Sequence, residues 1–214
     1  MKKQISIEEA VGKIKSGMTI MCGGFLSNGS ALKMLDALSK TDVKDLTLIT
    51  NDTSYDNVGV GKLFTSKMIK KVIVSYIGSN KTSQQQIDSK EIEVEFVPQG
   101  TLAERIRTGG FGMGGFLSAT GLGTLVAKGK RIIKVDDKEY ILELPLHADV
   151  ALIGASKGDE SGNLVYYGTS QNFNPLMASA ADIVIAEIDE IVSVGDIKPE
   201  AIHTPGILIN YIVK

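Results

Sequence analysis

Cysteine occurs once in this chain, histidine twice, and no apolar run is long enough to cross a membrane. A single thiol, Cys22, excludes an internal disulfide and suits a reducing compartment, the cytoplasm. It closes a short apolar run, where cysteine ordinarily serves as a small inert core residue. His147 and His203 stand far apart without the paired spacing of a metal site, so no metal is expected. Spanning a bilayer as a helix takes about 18 or more apolar residues in succession, and none is found. Neither sign of charge dominates. There are 23 Lys and Arg against 25 Asp and Glu, a net charge of −2 and a pI near 5.8. That balance argues against nucleic acid or a membrane surface as the main partner. The opening MKKQISIEEAV meets acidic residues before any apolar segment and does not read as a secretory signal.

What the chain does have is 214 residues, 43% hydrophobic and 22% charged, enough for a substantial core in a soluble globular protein. No repeat, low-complexity tract or boundary divides it, so one domain over residues 1–214 is expected. Ser6-Ile7-Glu8-Glu9 is a capping box, and Ile7, Ala10, Val11 and Ile14 form one face of a short helix that Gly17 would stop. Segments 19–22, 46–50, 71–76, 92–97, 150–154 and 182–187 read as strands. The last two are nearly continuous apolar runs, as strands buried on both faces should be. Residues 131–135 and 139–144 alternate around Asp136-Asp137-Lys138 as a hairpin. A turn-rich stretch fills 158–163, and a helix is expected over 175–181, capped by Asn174 with Pro175 at its first position. Turns at Gly195 and 203–206 lead to a last strand over 207–213. Alternating strands and helices give an α/β fold, a three-layer sandwich around a mostly parallel open sheet.

The chain is organised around residues 19–38, TIMCGGFLSNGSALKMLDAL. A strand ends in Gly23-Gly24-Phe25, a polar bend Ser27-Asn28-Gly29 follows, and Ala31, Leu32, Leu35 and Leu38 recur at helical spacing. Ser30 stands where its hydroxyl can cap the first turn. Glycines let the backbone approach a ligand closely, and a helix N-terminus offers unpaired N–H groups to a phosphate or carboxylate. The loop is not a P-loop, because Ser30-Ala31 replaces the Lys-Ser/Thr pair, and no G-x-G-x-x-G runs through it. A tight turn between packed elements is the alternative. Asn51-Asp52-Thr53 ends the second strand, where open α/β sheets bind ligands.

Residues 101–107 read as a brief helix with Leu102 and Ile106 on one side. GGFGMGGFLSATGLG follows at 109–123, too rich in glycine for a regular helix and poorly suited to a strand. Linkers are usually polar, whereas this segment carries Phe111, Met113, Phe116, Leu117 and Leu122. A packed loop with backbone N–H groups free to face a reacting oxygen is expected, the alternative being a flexible linker.

With these segments in hand, the chain resembles over its full length the A (alpha) subunit of a family I CoA-transferase. The likeness is nearest to the acetate/butyrate–acetoacetate enzymes, with the succinyl-CoA:3-oxoacid and 3-oxoadipate enzymes close by. It is carried by Gly23-Gly24-Phe25 with Gly29, Lys44-Asp45-Leu46-Thr47-Leu48, and Val97-Pro98-Gln99-Gly100-Thr101-Leu102 with Glu104-Arg105-Ile106-Arg107. Thr120-Gly121-Leu122-Gly123-Thr124, Gly162-Asn163-Leu164, Asn172-Phe173-Asn174-Pro175 and Thr204-Pro205-Gly206 follow in order.

The resemblance implies a Rossmann-like fold of the CoA-transferase type, with CoA held by Gly23, Gly24, Phe25, Leu26, Ser27, Asn28 and Gly29. Ser30-Ala31 departs from the family's small residue and proline at that point. The family's G-x-G-x-F oxyanion element falls on Gly112, Gly114, Gly115 and Phe116. The implied reaction exchanges CoA between short-chain carboxylates in ping-pong order through a glutamyl thioester, with CoA as substrate and no bound cofactor or metal. The family's nucleophile lies in Ser-Glu-Asn-Gly on a B subunit. That tetrapeptide is absent here, so no catalytic residue is expected in this chain and a B subunit is the expected partner, in an α2β2 assembly. Among local carboxylates Glu160 and Glu187 are the candidates, with turn and capping roles as alternatives. Asn51 and Gln99 could bond an acyl carbonyl or carboxylate, or satisfy loop backbone. Arg105 and Arg107 could pair CoA phosphates or line a solvated helix face, and Phe111 and Phe116 could wall an acyl pocket or pack. Three functions stay open: a transferase A subunit, a non-catalytic CoA-binding module, and a stand-alone acyl-CoA hydrolase.

Overall fold

A computed structural model describes residues 3–214; Met1 and Lys2, the start of the segment read against a secretory signal, lie outside the described residues. In chain order the elements are β1 (Lys3–Gln4), α1 (Ile7–Val11), β2 (Thr19–Cys22), α2 (Leu32–Leu38), β3 (Leu46–Asp52), α3 (Gly61–Thr65) and β4 (Ile69–Tyr76). Then come α4 (Lys81–Asp88), β5 (Glu93–Phe96), α5 (Gln99–Gly110), β6 (Phe116–Ser118), β7 (Ile132–Val135) and β8 (Lys138–Glu143). The last are β9 (Ala148–Asp159), β10 (Leu164–Val165), α6 (Asn174–Ser179), β11 (Ala181–Val192) and β12 (Tyr211–Val213). Eight strands lie in the order β1-β12-β11-β9-β2-β3-β4-β5, every adjacent pair parallel, and β10 folds back antiparallel on the end of β9. Among the described residues no helix is long and apolar enough to cross a membrane.

The expected three layers follow from the apolar strands. Side chains alternate across a strand, so Ile20, Cys22, Leu48, Val150 and Leu152 pack under α1, α2 and α3. Their neighbours Met21, Ile49, Ala151 and Ile153 pack on the other face against Leu102 and Ile106 of α5 and Met177 of α6. Cys22 is fully buried, and burial pushes its thiol well above the ordinary range, as befits a core residue.

Several boundaries differ from the sequence reading. The capping box forms, with Ser6 Oγ accepting from the Glu9 N–H and Glu9 Oε2 from the Ser6 N–H, each at 3.1 Å. The helix stops at Val11, capped by Gly12. Gly17 is a separate left-handed turn (φ 83°) whose N–H donates to the Lys44 carbonyl, 3.0 Å away, ahead of β2. The last strand begins only at Tyr211, because Gly206–Leu208 forms a 3-10 turn behind Pro205.

The glycine-rich segment is more regular than expected. Gly109 and Gly110 complete α5, and Phe116–Ser118 is strand β6, which with β8 and β7 makes a second, antiparallel sheet. The two glycines are tolerated in the helix because of close packing: a Cβ on Gly109 would overlap the Leu146 carbonyl oxygen, and one on Gly110 the Ser179 side chain. The hairpin of β7 and β8 forms as read, with Asp136 left-handed at its turn (φ 51°). Buried Glu143 ties this small sheet down, taking Lys130 Nζ at 2.7 and 2.9 Å.

Packing at Gly109 yields a first prediction. In an exposed helix Gly→Ala gains up to about 1 kcal/mol; here Gly109→Ala forces α5 off the 144–147 connection behind it and costs about 1–3 kcal/mol. Gly100, in the first turn of the same helix, has open space around its Cβ position, so Gly100→Ala is neutral or mildly stabilising. Urea melts of the two variants should therefore move in opposite directions.

Candidate functional site

β2 and β9 are neighbours in the sheet, but β2 leads through α2 towards β3 on one side, and β9 leads through α6 towards β11 on the other. Where strand order reverses in this way, a crevice opens beyond the carboxyl ends of the strands. Residues 23–30 leave β2 directly into it.

Phe25 and Asn28 pair as a minimal hairpin, each N–H donating to the other's carbonyl at 3.0 and 2.9 Å. The two residues between them, Leu26 (φ 47°) and Ser27 (φ 72°), are both left-handed. This is the I′-type geometry that asparagine and glycine normally supply, so two ordinary side chains hold it under strain. Four residues restrain it. The buried Asp52 carboxylate accepts the Leu26 N–H through Oδ2 (2.9 Å) and the Ser54 N–H through Oδ1 (2.7 Å). Ser27 and Ser54 hydroxyls meet, and Asn28 donates to the Thr169 hydroxyl. Asn172 Oδ1 accepts the Gly24 N–H at 3.0 Å. Among the described residues the Ser27 and Gly29 N–H groups have no acceptor.

The glycines serve a different purpose from the one read in the sequence. A Cβ on Gly23 would overlap the Asn174 amide, one on Gly24 the Ser30 hydroxyl, and one on Gly29 the Ser170 carbonyl. They admit other parts of the protein to the loop, whose exposed residues are Phe25 and Asn28, with Leu26 and Ser27 half-buried between them. Ser30 does not cap α2. The helix begins two residues later, and the Ser30 hydroxyl donates back to the Gly23 carbonyl (2.9 Å). Nor does Asn174 cap α6; it is the helix's first residue, fully buried, with Nδ2 donating to the Gly29 and Ser170 carbonyls at 2.9 Å each.

Glu187, midway along β11, caps α2 instead. Its Oε1 accepts the Lys33 N–H (3.1 Å) and its Oε2 the Met34 N–H (2.9 Å). Burial pushes its carboxyl above the usual glutamate range, against the opposing pull of those two N–H groups. The helix start expected to receive an anionic ligand is thus occupied by a carboxylate of the chain itself.

Beside the turn lie two cavities of about 470 and 350 Å³ that share Phe25, Asn51 and Gln99. Asn51 is buried and held at both ends of its amide: its Oδ1 accepts from Gln99 Nε2 (2.8 Å) and its Nδ2 donates to Asp52 Oδ2 (2.9 Å). Gln99, at the start of α5, is exposed and keeps its second Nε2 hydrogen and its Oε1 free. Tyr76 closes the larger cavity from β4, and Ala103 and Phe173 line the smaller. A third cavity of about 230 Å³, under Ser27, Asn28 and Gly29, reaches Glu187 and Asp189.

The other sequence candidates lie elsewhere. Gly112, Gly114, Gly115 and Phe116 line none of these three cavities. They follow the far end of α5, about 16 Å from Gln99 at 1.5 Å per residue. The N–H groups of Gly114 and Gly115 have no acceptor among the described residues. Arg105 is buried and donates to Glu95 (2.6 Å) and the Leu144 carbonyl (2.8 Å). Arg107 pairs with Glu104 beside the exposed Phe111 ring. Glu160 is exposed in the turn from β9 to β10. His203 accepts the Tyr166 N–H through Nδ1 (3.0 Å), and His147 sits apart near Asp182. Among the described residues no three His, Cys, Asp or Glu side chains gather as metal ligands. What sequence reasoning missed is the restraint of the turn by Asp52 and Asn172. Asp52 had a signal, its place at the end of β3; Asn172, 148 residues from Gly24, had none beyond its motif.

Residues 4–214 match the family model for coenzyme A transferase. The chain is 53% identical over 212 residues to the acetoacetyl-CoA:acetate/butyrate CoA transferase alpha subunit of Clostridium acetobutylicum, covering 99% of this chain and 97% of that one. It is 46% identical over 211 residues to the acetate CoA-transferase subunit alpha of Escherichia coli, covering 99% and 96%. Among solved structures it is similar to the acyl-CoA transferase YdiF of E. coli O157:H7 in a thioester complex with CoA (TM-score 0.87, 22% identity), covering 99% of this chain and about half, 47%, of that longer one. It is also similar to glutaconate coenzyme A-transferase of Acidaminococcus fermentans (TM-score 0.85, 17% identity, 99% and 75% covered). With a family match over nearly its whole length and alpha subunits as its relatives, the chain belongs to the coenzyme A transferase family, among its alpha subunits.

Proposed function

We propose that this chain is the alpha half of a two-subunit enzyme that moves CoA between acetoacetate and acetate or butyrate, with the nucleophilic glutamate on a separate B subunit. The observation that carries this reading is the state of the local carboxylates. Glu187 is used up as the cap of α2, Asp52 holds the turn, and Glu160 is exposed in a turn outside all three cavities. The crevice has free donors and an apolar wall, and the one uncommitted carboxylate lining it among the described residues, Asp189, is exposed at the third cavity, away from Phe25, Asn51 and Gln99.

In the proposed cycle the partner's glutamate attacks the acyl-CoA carbonyl, and the tetrahedral adduct expels CoA as thiolate, leaving a mixed anhydride. The thiolate attacks the glutamyl carbonyl, forming a glutamyl-CoA thioester and releasing the first acid. The second acid's carboxylate then attacks that thioester, and the returning thiolate attacks the new acyl carbonyl, restoring the glutamate. In this chain the 23–29 loop receives CoA, using the unpaired N–H of Ser27, while Phe25 and Gln99 bound the acyl end. Each step passes through an oxyanion, for which one positioned donor is worth about 3 kcal/mol. The free N–H groups of Gly114 and Gly115 are assigned that role where assembly brings their loop to a reacting carbonyl. We assign the chain one domain, an α2β2 assembly and a cytoplasmic location.

Transfer of CoA from acetoacetyl-CoA to acetate or butyrate should appear only when this chain is mixed with its B subunit. Borohydride should then trap the thioester on the partner, and Glu160→Gln should leave turnover intact. Full activity from this chain alone would sink the reading in favour of a stand-alone enzyme. Stability offers a separate check on Glu187. Because burial raises its folded-state value, its stabilising contribution is present at low pH and lost as pH climbs through that value from the ordinary 4.3 or so. Wild type should therefore lose ground to Glu187→Gln in urea melts as pH rises above the ordinary glutamate value. Glu187→Ala, which strips the cap, should cost about 1–2 kcal/mol.

A further inference from the structure

We propose that Asn172 is a positioning residue that holds the 25–28 turn in the shape that receives acyl-CoA; this rests on the reading of that turn as the CoA-binding element. The argument starts from the amide itself. Asn172 Oδ1 accepts the Gly24 N–H at 3.0 Å, and Nδ2 donates to the Asn28 carbonyl at 3.0 Å. Gly24 precedes Phe25 and Asn28 is the hairpin partner of Phe25, so one side chain holds the base of the turn on both sides. Its remaining contacts anchor it on its own segment: Nδ2 to the Thr169 and Ser170 carbonyls (3.0 and 3.1 Å) and Oδ1 to the Phe173 N–H (2.7 Å). An amide alone both donates and accepts at this reach; an aspartate would set its charge against three carbonyl oxygens.

Two further observations make the clamp a built feature. Asn172 is itself left-handed (φ 25°), held so by the segment around it. A Cβ on Gly29 would come within 2.9 Å of its Nδ2, so the loop is shaped to admit this side chain. Neighbouring Asn174 fixes Gly29 from the same segment. The strain at Leu26 and Ser27 gives the clamp its task, because a left-handed pair of ordinary residues relaxes once the base of its turn is open. Asn172 lines the 350 Å³ cavity, but attack on the carbonyl is assigned to the partner's glutamate and the oxyanion to Gly114 and Gly115. Its loss should therefore be felt in binding. If the receptive shape falls to a tenth of the population, apparent affinity falls tenfold at unchanged chemistry.

The experiment uses the assembled two-subunit enzyme with Asn172→Asp, Asn172→Ser and Asn172→Gln, alongside Ser27→Val at the tip of the turn. Asn172→Asp should raise KM for acetoacetyl-CoA tenfold or more, with kcat within threefold and KM for acetate within twofold. Asn172→Gln, which keeps an amide, should recover most of the loss. Should Asn172→Asp fail to assemble, Asn172→Ser is read in the same way. If Ser27→Val raises KM for acetoacetyl-CoA and the Asn172 variants do not, the turn binds CoA but Asn172 is not its positioner. If neither moves that KM, the reading of the turn and the inference fall together. A drop in kcat and melting temperature with both KM values unchanged would mark Asn172 as merely structural and overturn the proposal.

Discussion

Every parallel strand of the central sheet ends on the same side, and at β2 and β9 two such ends diverge. The gap must be closed by backbone that is neither helix nor strand, and buried backbone polar groups there need partners. The protein supplies them with side chains: Asp52 from β3, Glu187 from β11, and Asn172 and Asn174 from the segment leading into α6. Four side chains from three regions far apart in sequence thus converge on residues 24–34, and the shape of the crevice depends on that convergence.

The same accounting explains why the glycines are where they are. Gly23, Gly24 and Gly29 give room to an amide, a hydroxyl and a carbonyl that are themselves hydrogen-bonded across the gap. A side chain at any of them would break a bond elsewhere in the network. Gly109 and Gly110 follow the same logic at the other end of the molecule, where α5 approaches Leu146 and Ser179. In both places glycine marks protein packed against protein, while the positions between Gly24 and Gly29 carry ordinary side chains.

Much of the fold was legible because burial on both faces writes a strand as a continuous apolar run, and the runs at 150–154 and 182–187 are the centres of β9 and β11. The crevice was legible too, since a strand–glycine–helix sequence locates a sheet's carboxyl end. What escaped was the partner of each polar group. Serine before a helix reads as a cap by local rules, yet Ser30 turns back to Gly23 while a carboxylate 153 residues from Met34 does the capping. Local pattern cannot weigh a buried glutamate against a nearby hydroxyl, although a charged acceptor makes the stronger bond to backbone N–H. The helix in 109–110 was missed for a related reason: glycine's cost in a helix is local, and its compensation by close packing is not.

A nucleophilic glutamate must be ionised, partly desolvated and free of competing donors, and those demands conflict in a crevice as rich in backbone N–H groups as this one. The two buried carboxylates that this chain does hold against the loop illustrate the outcome, since both are captured, Asp52 by Leu26 and Ser54 and Glu187 by Lys33 and Met34. A captured carboxylate has its charge neutralised by hydrogen bonds that it would have to give up in order to attack. Delivering the nucleophile on a different chain avoids the conflict: the donors stay committed to shaping the loop, and the attacking group arrives with its own environment. On the proposed reading, the division into two subunits follows from the electrostatics of a site that must be rich in donors for CoA and for oxyanions, yet poor in donors around its glutamate.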